Sequence, residues 1–154
     1  VFVETGVNAT RLKSLITPTL KTTTNGVSPH IGIGARRPVG DSSDLGARLD
    51  LDTVEDDLFV GVRALDYRFR ATRNLAFNGF LGAARYDFGV PAYGYYLGVG
   101  TEWITPLPSF NVGLEFRYGD KVARDRLLPS DVPDPKPDMF FDIFFATLKL
   151  TYRM

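Results

Sequence analysis

The chain has 154 residues, and its 18 Lys plus Arg balance 18 Asp plus Glu. That length suits one domain or a small closed barrel, and the balanced charge argues against a nucleic-acid partner. The absence of cysteine excludes disulfides, thiolate metal sites and a thiol nucleophile, while 15 Gly, 12 Phe and 7 Tyr point to many short strands and turns.

No apolar run reaches the roughly 18 residues of a membrane helix. The opening "VFVETGVNAT" lacks the form of a signal peptide, so the leader of an exported chain would already be gone. In chain order the strand candidates are 1–10, 28–37, 45–52, 58–69, 74–86, 93–104, 110–118 and 139–153, which makes eight. The segment "RLKSLITPTLK" is the one candidate for a helical turn, and Pro18 with Thr22, Thr23 and Thr24 argues against it. Connections alternate in length. "RPVGDSSD", "RATRN" and "TPLPS" are turn-like, while "KSLITPTLKTTTNGVS", "TVEDD", "DFGVPA" and "GDKVARDRLLPSDVPDPKPD" lie on the other side. The spacing predicts an up-and-down meander with a tight rim and a long-loop rim, its longest loops near 11–27 and 119–138.

Along 110–118, Phe110, Val112, Leu114, Phe116 and Tyr118 alternate with Asn111, Gly113, Glu115 and Arg117. Strand 93–104 repeats the pattern, with Tyr95, Leu97, Val99 and Trp103 opposite Tyr96, Gly98, Gly100 and Glu102. Successive side chains leave a strand on opposite faces, so one face is apolar and the other polar. Glycine has no special use on a face that meets bulk water; in a small barrel it makes room for charged neighbours. Tyr95 and Trp103, like Phe110 and Tyr118, are eight residues apart. On tilted strands that separation covers about 20 Å, close to the roughly 25 Å apolar band between aromatic girdles. Tyr95, Trp103, Phe110, Tyr118 and Tyr152 are therefore candidate girdle residues.

The opposite face carries Arg36, Arg48, Asp50, Glu102, Glu115, Arg117, Lys149 and Arg153, mixed in sign. Eight strands leave an interior just wide enough for side chains, so these charges are expected to pair, as a plug in preference to a gated path. Strand 58–69 changes face: Val60 and Val62 point outward with Arg63 inside, yet Leu65, Tyr67 and Phe69 also point outward, leaving Asp66 and Arg68 for the lumen. A β-bulge near Arg63 to Leu65 reconciles the halves.

The C-terminal "ATLKLTYRM" resembles the closing strand of Gram-negative outer-membrane β-barrels. Leu148, Leu150, Tyr152 and Met154 share the outward face; that family usually ends in Phe or Trp. The eight-strand layout is similar to the small OmpA- and OmpX-like or OmpW-like class. The resemblance implies a single all-β domain over 1–154, an eight-stranded antiparallel up-and-down transmembrane β-barrel in the bacterial outer membrane, with both termini periplasmic and no cofactor. It also implies partners: outer-membrane lipid and lipopolysaccharide, and the barrel-assembly machinery during biogenesis.

Phe141, Ile143 and Phe145 share the inward parity of Lys149, either as an apolar pocket for a lipid tail or hydrophobic solute or packed beneath loop 119–138. Ser28 and His30 lie two residues apart on one face, but without an orienting acid they make a weak nucleophile and base. The acidic run "DLDTVEDD" reads as a solvated loop, lacking the EF-hand spacing. Gly32 and Gly34 read as lumen-facing spacers, and "PSDVPDPKPD" as an exposed extended loop. The favoured role is a structural or surface-interaction barrel acting through its extracellular loops, and the residues lean away from an enzyme. The alternatives are a narrow channel or binding barrel for a small or hydrophobic molecule, and a soluble lipocalin-like barrel with its apolar face inside.

Overall fold

A computed structural model describes residues 1–15, 21–87, 90–107, 109–124 and 140–154. Its strands are β1 (Phe2–Leu15), β2 (Lys21–Pro38), β3 (Ser43–Val54), β4 (Asp57–Arg70), β5 (Leu75–Tyr86), the two-residue β6 (Val90–Pro91), β7 (Tyr93–Ile104), β8 (Phe110–Arg124) and β9 (Phe140–Arg153). The eight long strands pair antiparallel with their sequence neighbours. β1 closes the ring on β9, from Phe2 opposite Arg153 to Ser14 opposite Phe141. The chain is thus a closed eight-stranded antiparallel up-and-down barrel.

The pleat sorts the side chains. Val112, Leu114 and Phe116 are 42, 45 and 56% exposed, whereas Glu115 and Arg117 between them are 0 and 2%. Leu97, Val99, Leu148 and Leu150 also face outward. A soluble ligand-binding barrel would show the reverse, so the lipocalin-like alternative is corrected by the facing of these residues. An outer belt this apolar calls for acyl chains around it, since soluble proteins rarely expose such continuous patches.

The bulge expected near Arg63 to Leu65 is present. Pairing of β4 with β5 shifts between those residues, and pairing with β3 shifts between Gly46 and Arg48. Ala64 is the extra residue, so Arg63 and Asp66 both reach the interior while Val62 and Leu65 both face out.

The expected loop boundaries need correction at one rim. Residues 11–15 and 21–27 continue β1 and β2 as a paired ladder, and 119–124 continue β8. Residues 16–20 and 125–139, with them "PSDVPDPKPD", lie outside those described. The acidic run is not a loop either. Asp50 and Asp52 are buried on β3, and Glu55 and Asp56, with φ of 48° and 71°, form a two-residue turn closed by the Val54–Asp57 pair. Positive φ at both central residues is the hairpin geometry that matches the right-handed twist of the strands.

Candidate functional site

The lumen is built in tiers because each strand contributes alternate residues to it. At the mouth beside the short turns, Arg36 on β2 forks onto Asp66 of β4 at 2.8 and 3.2 Å. Arg68 on β4 forks onto Glu102 of β7 at 3.2 and 3.0 Å and reaches Asp44 at 3.0 Å. Asn111 also donates to Glu102, and Arg153 reaches Asn111 at 3.3 Å while remaining exposed at the rim. A hollow of about 250 Å³ opens here, lined by Phe2, Arg36, Asp44, Arg68, Glu102 and Arg153 among others.

The middle tier centres on Glu115. Its carboxylate accepts from Arg48 at 3.0 Å, Arg63 at 2.9 Å, Asn78 at 2.6 Å and Lys149 at 2.9 Å. Glu4 bonds Arg48 and, at 3.1 Å, both Lys149 and Thr151. Asp50 joins Arg48 and Arg63, each at 2.6 Å, and accepts the Tyr96 hydroxyl at 2.7 Å. Each ion therefore has at least two partners, which offsets the several kcal/mol of desolvation that an isolated buried charge would carry. Glycine makes the room: a Cβ on Gly32 would lie 3.2 Å from Asp50, and one on Gly61 only 2.5 Å from the Tyr96 ring.

Above it, Arg117 reaches Asp52 at 2.7 Å, the side-chain Oδ1 of Asn8 at 2.7 Å and the Tyr96 hydroxyl at 2.8 Å. His30 Nδ1 lies 2.7 Å from Asp52, the residue directly opposite it on β3. Asp52 thus supplies the orienting acid that sequence spacing did not identify. Ser28 instead accepts from Asn8 at 3.3 Å, and His30 Nε2 has no partner among the described residues. Both side chains are buried.

Across the lumen toward the other rim lies an apolar layer that includes Leu12, Val54, Phe59, Phe80, Tyr96 and Val122. Phe141, Ile143 and Phe145 are part of it, buried with side chains from other strands. Arginines seat this layer: the Arg63 guanidinium is 3.6 Å from the Phe80 ring centre and that of Arg117 is 4.4 Å from Phe145. No group of His, Asp or Glu able to hold a metal occurs among the described residues.

Of the interior residues expected from sequence, Arg48, Asp50, Glu102, Glu115, Arg117 and Lys149 meet in the tiers, Arg36 sits partly buried at the mouth, and Arg153 stays at the rim. Sequence reasoning missed Glu4, Asn8, Asp52 and Asn78. Parity held the signal for the first three: Glu4 and Asn8 alternate with Val3 and Val7, and Asp52 shares a face with Asp50. Outside, Trp103, Phe110 and Tyr152 project near the short-turn rim, and Tyr95 and Tyr118 near the other. Phe110 packs on Tyr152 at 5.1 Å between centroids, and Tyr118 stacks on Phe144 at 4.5 Å.

The long-strand rim carries a second feature. β6, β8, β9, β1 and β2 continue as a sheet, but β2 pairs with β3 only from His30 onward. Among the described residues, the outer edge of 21–29 therefore faces no strand. Thr23, Thr24, Asn25, Gly26 and Val27 are all exposed, so both faces of this stretch are open.

No family model and no curated protein matches the chain. Among solved structures it is similar to Ail, the attachment invasion locus protein of Yersinia pestis, with TM-score 0.56 and 16% identity over 99% of this chain and 97% of that one. A structure of Ail in complex with the heparin analogue sucrose octasulfate matches at 0.56 and 15%, over the same shares of the two chains. Neisserial surface protein A matches at 0.53 and 14%, over 99% of this chain and 97% of that one. At this identity the likeness is one of fold: the chain has the transmembrane eight-stranded architecture of small outer-membrane barrels.

Proposed function

We propose that this chain is a bacterial outer-membrane protein that acts through the sheet it raises above the membrane, with its lumen serving as an ion-paired structural core. The open edge of β2 over 21–29 carries the reading. Unpaired backbone N–H and C=O groups on an edge strand accept a further strand from another chain, with side chains on both faces to select it. Polar Thr and Asn there keep the edge soluble without closing it. Lumen ions that pair at every tier, beneath a layer of buried apolar side chains, support a structural core over a solute path.

The two aromatic bands support a bilayer position with Trp103, Phe110 and Tyr152 on the periplasmic side and Tyr95 and Tyr118 on the external side. Lipopolysaccharide and other outer-membrane lipid are then the surrounding partners, and the C-terminal strand is the segment offered to the assembly machinery. The names of the neighbours, attachment invasion locus protein and surface protein, are in keeping with a role at the cell surface.

Orientation is testable because the chain has no cysteine. Thr23→Cys and Arg73→Cys place one thiol at each rim. On intact cells a membrane-impermeant maleimide should label the first and spare the second until the membrane is opened. Labelling of Arg73→Cys alone would overturn the proposal.

A further inference from the structure

The mouth beside the short turns holds a second hollow, of about 470 Å³, lined by Asp41, Ser42, Arg70, Thr72, Arg73 and Arg153 among others. Arg70 and Arg153 continue the inward rows of their strands, opposite the buried Ala76 and Phe2 respectively. Those strands, β4 and β9, stand four places apart in the ring of eight, so the two side chains come from opposite walls. The hollow therefore lies across the end of the lumen, inside the ring of lipid-facing residues. Positive charge is left over here. Arg36, Arg48, Arg63, Arg68 and Arg117 each pair with a carboxylate in the lumen. Arg70 instead donates to the backbone oxygen of Asp41 at 3.0 Å, and Arg153 to the Asn111 side chain at 3.3 Å. Arg73 makes no ion pair among the described residues, and all three arginines are exposed. A neutral acceptor holds a guanidinium in place without cancelling its charge, and most of its five N–H donors stay free.

We infer that this hollow binds an acidic peptide segment of a partner protein, its carboxylates shared between Arg70 on one wall and Arg153 on the other. A guanidinium fork takes a carboxylate through two parallel N–H···O bonds, and three such forks around one concavity suit a ligand with more than one anionic group. The volume falls within the roughly 300–1,000 Å³ of pockets that hold small ligands, which is room for a few side chains. Linked phosphates would satisfy the same forks, but Asp41 lines the hollow as well. Its carboxylate accepts the N–H donors that a peptide backbone brings, and it repels a ligand made of anionic acceptors alone. Ala71 and Ile104 add apolar lining for aliphatic parts of the segment. In the proposed orientation this face is periplasmic, and so is the partner. Binding to purified protein does not depend on orientation, so the two proposals fail separately.

The test uses the full chain in dodecyl maltoside micelles at low ionic strength and a short peptide of alternating Glu and Ala carrying an uncharged dye, read by fluorescence anisotropy. A matching peptide of Gln and Ala is the control. The Glu peptide should bind and the Gln peptide should not, and added salt should weaken the binding. Arg70→Gln with Arg153→Gln removes one cation from each wall and should weaken binding about tenfold, the scale of two exposed charge pairs. Arg11→Gln with Lys13→Gln makes the same change in net charge at the other rim and should leave binding unchanged; unaltered heat-dependent gel mobility shows that the variants fold. Unlabelled Glu peptide should displace the probe at lower concentration than tripolyphosphate does, and the reverse order would overturn the assigned ligand. A Glu peptide that fails to bind, or whose binding the first pair of substitutions weakens no more than the second, would overturn the site.

Discussion

Glu115→Gln keeps the shape of the side chain at the centre of the lumen and removes its charge. The carboxylate accepts from Arg48, Arg63 and Lys149, all of them fully buried. Breaking one buried pair by removing a partner costs about 3–5 kcal/mol, because the remaining charge stays out of water. Here each cation keeps another acid: Arg48 and Lys149 keep Glu4, and Arg63 keeps Asp50. The loss should therefore fall near the lower end, about 3 kcal/mol. Arg85→Gln breaks an ion pair with Asp87 at the exposed rim and should leave stability essentially unchanged. Both are measured by urea unfolding from phospholipid vesicles, with Trp103 reporting. It is the only tryptophan and faces outward, so its emission shifts as it leaves lipid. Adding Lys149→Met to Glu115→Gln should recover part of the loss by removing the excess positive charge left in this tier, with Glu4 still paired to Arg48. A Glu115→Gln variant no less stable than Arg85→Gln would refute the reasoning that paired ions hold the lumen.

Leu114→Arg puts a charge on the lipid-facing belt and should destabilise the folded barrel by about 2–4 kcal/mol in the same unfolding experiment, the midplane value for this class. Gly61→Ala places a methyl 2.5 Å from the Tyr96 ring and should cost about 1–3 kcal/mol, seen as a lower midpoint of heat-dependent gel mobility. In planar bilayers the wild-type protein should pass no steady current, whereas Phe59→Ala with Phe145→Ala, which opens the apolar layer above the ions, should leak; a conducting wild type would return the narrow-channel reading to favour.

The fold was legible wherever one strand face meets lipid and the other meets ions, since alternation survives only when the two environments differ. Strand β7 was readable to its ends, and even the bulge in β4 showed as a change of parity after Arg63. Beyond the membrane that contrast vanishes. "KTTTNGV" is polar on both sides because both faces of β2 are open there, so it looks like a loop though its Thr residues suit a strand. β8 hides its end differently: Gly119, a positive φ at Lys121 and a register shift before Ala123 resemble a turn. Charges of the middle tier could be placed by parity, but their pairings could not. Arg117 and Asn8 bond across 109 positions of sequence, and only closure of the ring brings them together.

The facing of β8 is the premise shared by these expectations. Single nitroxides placed in turn at residues 110–118 in bilayers, with collisions counted for dissolved oxygen and for a water-soluble nickel chelate, test it directly. Oxygen accessibility should rise and fall with a period of two, highest at Val112, Leu114 and Phe116 and lowest at Gly113, Glu115 and Arg117, while nickel stays excluded from the high positions. Nickel reaching Leu114 as freely as bulk solvent, with oxygen contact greatest at Glu115, would contradict the account.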